Sequence, residues 1–307
     1  MYLLNGKIKI QPNSQMQYTC QSEYKKLERV FIKTVEEAFI SEEKLNKEWA
    51  AHNYLSKPDL IRAKEEYEEF KKLLAKKVSQ ISCFPESESV TIDSIYCRDA
   101  SMATDHGMII CNMGKQARSM EPKAQKEFFQ ASDIPVLGTI KPPGTLEGGD
   151  VAWLNKNTLA VGHTYRTNLS GIEQLKELLA PYHIEVLVAE LPHYKGPSDV
   201  FHLMSVLSPV DKDLAVVYSA LMPISFRNEL LERGFSLVEV PEQEFESMGC
   251  NVLAIAPREC IMVAGNPLTE NALRKAGCIV YTYKGQEISY KGGGGPTCLT
   301  RPIYRMD

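Results

Sequence analysis

No stretch of the 307-residue chain approaches the roughly 18 uninterrupted apolar residues of a membrane-crossing helix. The opening Met1-Tyr-Leu-Leu breaks at Asn5, short of the hydrophobic region of a secretory signal, so a cytoplasmic location is expected. Charge of one sign is not in excess either. With 35 Lys and Arg against 39 Asp and Glu, mixed along the chain, the formal net charge is -4. That leaves no electrostatic footprint for a nucleic-acid backbone or an anionic membrane. The cysteines at 20, 83, 97, 111, 250, 260, 278 and 298 form neither a Cys-x-x-Cys pair nor a Cys/His cluster. This argues against structural zinc and against a disulfide framework, and most are read as small buried hydrophobes. Low-complexity sequence is confined to Gly292–Gly295. What remains is ordinary globular composition, 44% hydrophobic and 24% charged, with a small molecule as the expected partner and a homo-oligomer left open.

The chain does contain a repeat. From Val151 it reads as a strand (Val151-Ala-Trp-Leu), a tight Asn155-Lys-Asn turn, a strand (Thr158-Leu-Ala-Val-Gly), a helix from Gly171, and a strand (Ile184-Glu-Val-Leu-Val). The same ββαβ order predicts strands at Leu203–Leu207, Asp213–Tyr218 and Ser236–Val240, with a helix near 224–233. It predicts them again at Asn251–Ile255, Cys260–Ala264 and Cys278–Tyr281, with a helix at 269–276. An earlier copy starts at Ser101, continues through Met108–Cys111 and a helix near 123–129, and ends at Ile134–Leu137. Four copies leave both chain ends over. Leu299–Arg305 is expected to supply the first strand of a fifth unit, with Arg29–Lys33 as its second strand and a helix within 60–77. Such closure removes the sheet edges an open array would expose. The expected architecture is α/β: one catalytic domain over residues 1–307, a five-bladed ring of ββαβ units, an α/β propeller whose termini close the ring.

Residues 41–77 exceed what a unit needs. They are Glu/Lys-rich with a helical apolar pattern (Leu60, Ala63, Tyr67, Phe70, Leu74), broken at Pro58. The segment is read as a helical insertion, an outer helix pair with a solvated face, with a lid over a site as the functional alternative.

Register across the repeat says more about function. The residues just before the first strand of each unit are Asp99, Glu147, His202, Cys250 and Cys298, at intervals of 48, 55, 48 and 48. Equivalent positions of a ring converge on its axis. Two carboxylates, an imidazole and one or two thiols are therefore expected in one pocket. A thiol beside a histidine is an activatable nucleophile with its own acid and base. Facing carboxylates stay ionised only with a cation between them, and a planar guanidinium fits them best. Taken singly, Cys298 and His202 would be core residues, Arg118 and Arg166 surface ion pairs, and Glu147-Gly-Gly-Asp150 a turn. Shared register outweighs that for Cys298, His202, Glu147 and Asp99.

Four segments, Tyr96-Cys-Arg-Asp99, Glu147-Gly-Gly-Asp150, His202-Leu and Gly292-Gly-Gly-Gly-Pro-Thr-Cys298-Leu-Thr-Arg-Pro302, together resemble the guanidine-modifying superfamily of arginine deiminases, dimethylargininases and amidinotransferases. The resemblance runs from about Tyr24 to the chain end and implies the pentein fold, a five-bladed ring of ββαβ units. It implies that Cys298 attacks the guanidinium carbon, that His202 protonates the departing amine and then activates water, and that Asp99 and Glu147 clamp the guanidinium. Arg118 and Arg166, each nineteen residues after a clamp carboxylate, resemble the arginines that hold the substrate carboxylate. Asp93 resembles a further carboxylate near the substrate. No metal and no cofactor is implied.

The chain departs from that pattern at Met204, where arginine deiminases and amidinotransferases carry an aspartate. Dimethylargininases also lack it, whereas the segments around Asp99 and Cys298 look deiminase-like. The expected function is cysteine-dependent hydrolysis of arginine or an N-methylated arginine to citrulline plus ammonia or an alkylamine, through a covalent amidino-thioether, with a lean to arginine. An amidinotransferase, or an arginine dihydrolase giving ornithine, is the alternative.

Overall fold

The computed structural model describes residues 19–306, so the reading of Met1–Asn5 lies outside the described residues. These residues form five separate three-stranded sheets, and the middle strand of each is the second strand of its unit. In every sheet the middle strand runs antiparallel to the first and parallel to the third. A parallel pair needs a crossover, and a helix supplies it each time.

In the unit that follows Glu147, strands Val151–Asn155, Thr158–His163 and Glu185–Glu190 enclose helix Leu169–Leu179. The helix starts at Asn168, whose side chain accepts from Gly171 N, and buries Ile172, Leu175 and Leu179 at helical spacing. The Asp99 unit comprises Ser101–Thr104, Gly107–Ile110, helix Glu121–Ala131 and Val136–Thr139. The His202 unit comprises Leu207–Asp211, Leu214–Val217, helix Ile224–Glu232 and Ser236–Glu239. The Cys250 unit comprises Leu253–Ala256, Glu259–Val263, helix Pro267–Lys275 and Ile279–Tyr283.

The fifth unit closes the ring as expected. Strand Thr300–Met306 pairs antiparallel with Lys26–Ile32, which pairs parallel with Gln80–Cys83. Helix Leu60–Ala75 makes the crossover, capped by Asp59, and buries Ala63, Tyr67, Phe70 and Leu74. Helix Glu42–Glu48 precedes it, and the 49–59 link between them is non-helical around Pro58. The two helices of 41–77 pack on different neighbours, Glu42–Glu48 against 92–95 and Leu60–Ala75 against its own unit, and their link reaches the central cavity through His52, Asn53 and Leu55.

Two first strands start later than expected. Leu203–Ser205 is a 3-10 turn and the strand begins at Leu207. Asp150 Oδ1 accepts from Leu203 N at 3.0 Å, and Ser205 Oγ accepts from His202 N at 3.1 Å, so side chains satisfy the backbone there before a ladder can. Asn251 likewise precedes the strand beginning at Leu253, its side chain engaged with Thr297.

Ring closure leans on the apolar cluster of Phe31, Phe84, Cys97, Met108, Phe129 and Ile303, which joins the closing unit to the Asp99 unit. Ile303 is fully buried in the closing strand. Ile303→Ala is expected to lower unfolding stability by about 2–4 kcal/mol, read by urea denaturation. A loss below about 1 kcal/mol would show that this strand is not seated as described.

Candidate active site

The first-strand turns open into an axial cavity of about 230 Å³ bordered by Asp99, Glu147, His202, Cys250 and Cys298, together with Asp93, Arg118, Arg166 and Met204. The turns are tied to one another by backbone. Gly148 N donates to Asp99 O at 2.8 Å and Arg98 N to Cys298 O at 3.3 Å, which fixes three units at the axis.

Glu147 is fully buried. Its Oε1 accepts from Lys115 N at 2.9 Å, and its Oε2 lies 2.8 Å from His202 Nε2. His202 Nδ1 stands 4.0 Å from Asp99 Oδ1. The imidazole therefore sits between the two carboxylates. Gly149 permits this, since a Cβ there would lie 2.4 Å from His202 Nδ1. Asp99 Oδ2 accepts from Arg118, but its buried Oδ1 has no hydrogen-bond partner.

Cys298 Sγ accepts from Asn251 Nδ2 at 3.4 Å. Asn251 Oδ1 in turn accepts from Thr297 N at 3.0 Å and from Thr297 Oγ1 at 2.9 Å. Of the four glycines before Cys298 only Gly293, at φ 75°, needs the left-handed region. Gly294 and Gly295 serve close approach instead: added Cβ atoms would lie 2.3 Å from the Tyr96 ring and 2.5 Å from Asn251.

Cys250 borders the cavity, yet its thiol donates to Val216 O at 3.7 Å and it belongs to an apolar cluster. Its neighbour Asn251 is that unit's contribution to the surroundings of Cys298. Arg118, expected beside the substrate carboxylate, borders the cavity with its guanidinium already engaged. It is tied to Asp99, to both oxygens of Glu121 at 2.8 Å, and to Tyr96 O at 2.8 Å, so it holds Asp99 in place. Arg166 is less committed: Nη1 is 3.7 Å from Glu147 Oε1, and Nη2 donates to Asp199 O at 3.4 Å. Asp93 is buried and bonded to Lys115 and to His52 Nδ1, the latter at 3.1 Å, linking the 41–77 insertion to the cavity wall. Sequence reasoning missed Asn251, His52 and Lys115. Asp150, which ends the Glu147 motif, was legible but given no role; it accepts from Thr164 and Thr167, both at 2.7 Å, and fixes the turn after His202.

The electrostatics follow from this enclosure. Burial alone would lower the His202 pKa, but Asp150, Asp99 and Glu147 raise it to about 9. Burial opposes ionisation of Glu147 too, and is outweighed by the His202 hydrogen bond and charge and by Arg166 and Arg118, which hold it well below the usual carboxylate range. The imidazolium is the internal cation that keeps Glu147 ionised. Burial pushes the Cys298 thiol up, and Asp99 pushes it further, against the Thr297 and Asn251 hydrogen bonds and the charge of Arg98. Asp99, Glu147 and His202 offer ligand atoms within 4.8 Å of one another, a spacing that could hold a metal ion. A metal there would compete with the proton of His202, which the same carboxylates hold to about pH 9.

Residues 36–305 match the family model described as N,N dimethylarginine dimethylhydrolase, eukaryotic. YkgA of Bacillus subtilis, an uncharacterized protein, is 27% identical over 295 residues, 96% of this chain and 98% of its own. Arginine deiminase of Listeria welshimeri is 28% identical over 252 residues, covering 68% of this chain. The match spans 61% of that deiminase, less than two thirds of its length. Among solved structures, DDAH from Pseudomonas aeruginosa, a mutant complexed with citrulline, has a TM-score of 0.74 at 22% identity, covering 91% of this chain and 100% of that one. The last likeness is one of fold.

A raised thiol has a measurable signature. Inactivation of the substrate-free protein by iodoacetamide is expected to be slow near pH 7 and to climb through about pH 9 and beyond, because burial and Asp99 both disfavour the thiolate. Asp99→Asn removes a charge that raises the thiol, so it is expected to quicken labelling near pH 7. A rate already at its plateau at pH 7 in the wild type would contradict this account of Cys298.

Proposed function

We propose, from the premise that the chain belongs to the N,N-dimethylarginine dimethylhydrolase family of the pentein superfamily, that it hydrolyses the guanidinium group of an N-methylated arginine to citrulline and an alkylamine, with Cys298 as nucleophile. The observation that carries the reading is the buried, unpartnered Oδ1 of Asp99 beside the Glu147–His202 pair. An orphaned carboxylate oxygen is costly, and a cationic N–H donor relieves it.

The chemistry follows from the groups present. A guanidinium bound at Asp99 and Glu147 neutralises the charge that keeps Cys298 protonated, so substrate itself promotes the thiolate. Sγ forms a bond to the guanidinium carbon, giving a tetrahedral centre. His202, a cation below about pH 9, transfers its proton to the departing nitrogen, and the C–N bond breaks to leave an amidino-thioether. The now neutral His202 takes a proton from water, the resulting hydroxide adds to the same carbon, and the C–S bond breaks to release the ureido product. Arg166, bordering the cavity with few fixed partners, suits the substrate carboxylate better than Arg118.

Two features bear on the substrate. The segments around Asp99 and Cys298 incline to arginine. Met204, buried and bordering the cavity beyond His202, offers a guanidinium N–H no oxygen acceptor, and inclines to a methylated nitrogen. Burying one methyl contributes about 0.8 kcal/mol, and an unmade buried hydrogen bond costs about 1–3 kcal/mol, so the methylated form is favoured. The family match adds weight on the same side.

The test is competition between arginine and its Nη-dimethylated form at equal concentration, scored as citrulline with ammonia against citrulline with dimethylamine. The dimethylated form is expected to win in the wild type and to lose its advantage in Met204→Asp. Preference for arginine in the wild type would return the assignment to an arginine deiminase. Release of ornithine would point to a dihydrolase, and a requirement for an acceptor amine to an amidinotransferase. Cys298→Ser is expected to lower turnover at least about a hundredfold with circular dichroism unchanged, because a hydroxyl is far less ionised than a thiol. Retained turnover would remove Cys298 from the mechanism.

A further inference from the structure

Behind the nucleophile, the described residues bring three arginines into the interior with one bonded carboxylate. Arg98 is fully buried, Arg301 is 4% exposed and Arg305 is 2% exposed. Arg98 Nη2 donates to Glu23 Oε1 at 2.8 Å. Its Nε and Nη1 have no partner, and neither do Nε and Nη2 of Arg305. Arg301 Nη1 is turned to the carbonyls of Arg98 and Ser101, and Arg305 Nη1 to that of Lys25, so neither meets a carboxylate there. The neighbouring thiols add no compensating charge, since burial pushes Cys97 up to about 12 and Cys111 higher still.

Arg98, Arg301, Glu23 and Ser22 border a separate cavity of about 10 Å³. That is room for a single water-sized particle and too little for phosphate or a carboxylic acid. Ser22 Oγ already accepts from Tyr24 N at 3.2 Å and Lys25 N at 3.1 Å, which leaves its hydroxyl hydrogen to donate. Arginine cannot shed its charge to relieve such a site. A buried cluster with an excess of positive charge and unfilled N–H donors lacks an anion.

We propose that this cavity is a binding site for one monatomic halide anion, chloride lying nearer its size and bromide serving as the heavier reporter, held by the unpartnered Nε and Nη1 of Arg98 with Ser22 and Arg301 at its wall. The anion completes the hydrogen bonding of the arginine next to clamp residue Asp99, and so stabilises the axial turns from behind.

The test uses the purified full chain, melted in sodium bromide and in sodium isethionate at equal ionic strength and pH. Bromide is expected to raise Tm saturably by about 3 °C or more, whereas the larger isethionate anion does not enter. Glu23→Gln keeps the oxygen that Arg98 binds but removes the competing charge, so its half-saturating bromide concentration is expected to fall about threefold or more. Arg98→Met is expected to erase the difference between the salts; should it not fold, the Glu23→Gln comparison still decides. Crystals in bromide are expected to show an anomalous peak within hydrogen-bond distance of Arg98 Nε and Nη1. Superimposable melting curves in the two salts, an unchanged halide response in Glu23→Gln or in folded Arg98→Met, or no peak at Arg98 would overturn the proposal.

Discussion

The antiparallel pairing of Thr300–Met306 with Lys26–Ile32 is the constraint on which the rest of the molecule depends. Without it the array of sheets would be open, and two first strands would have no neighbour across the gap. With it, Cys298 comes to rest where Arg98 N reaches its carbonyl, beside the turn that carries Asp99. The same segment supplies Ile303 to an apolar cluster shared with the Asp99 unit. One strand thus joins packing, topology and chemistry.

At the axis, the buried carboxylates and His202 are held by charged or polar neighbours, which explains why the cavity can be polar and still buried. Arg118 fixes Asp99 through one oxygen, leaving the other free; Glu147 holds His202; Asp150 fixes the turn after it. Removing a charge from such a set leaves its partner buried and uncompensated. The imidazolium of His202 occupies the middle of this arrangement in the free protein. On the proposed function, a substrate cation that enters would share the carboxylates with it, leaving the imidazolium proton beside the departing amine.

The fold was legible in the sequence because the ββαβ pattern repeats, so each uncertain element is supported by its counterparts in the other units. The same periodicity made Asp99, Glu147, His202 and Cys298 legible as a group, and the structure brings them to one cavity. What was not legible depended on side chains reaching backbone. Leu203–Ser205 has the apolar look of a strand, but Asp150 and Ser205 cap its amides into a turn. Cys250 sits in register, yet its thiol turns to Val216 O and leaves the place beside Cys298 to Asn251. Arg118 has the spacing of Arg166 and borders the same cavity, but Glu121, three residues on, already engages its guanidinium. His52 and Lys115 had no motif around them and became visible only through their shared contact with Asp93.

The closing strand also sets an order of events. Arg305 reaches Lys25 across 280 residues of chain, a separation at which contacts form slowly. During synthesis, Thr300–Met306 leaves the ribosome after every other strand described here. A nascent chain can assemble the carboxylates and the imidazole from its earlier units while the thiol is still unmade or untethered. Cys298 is therefore the last of the four axial residues to arrive, and the cavity it borders is complete only when the ring is.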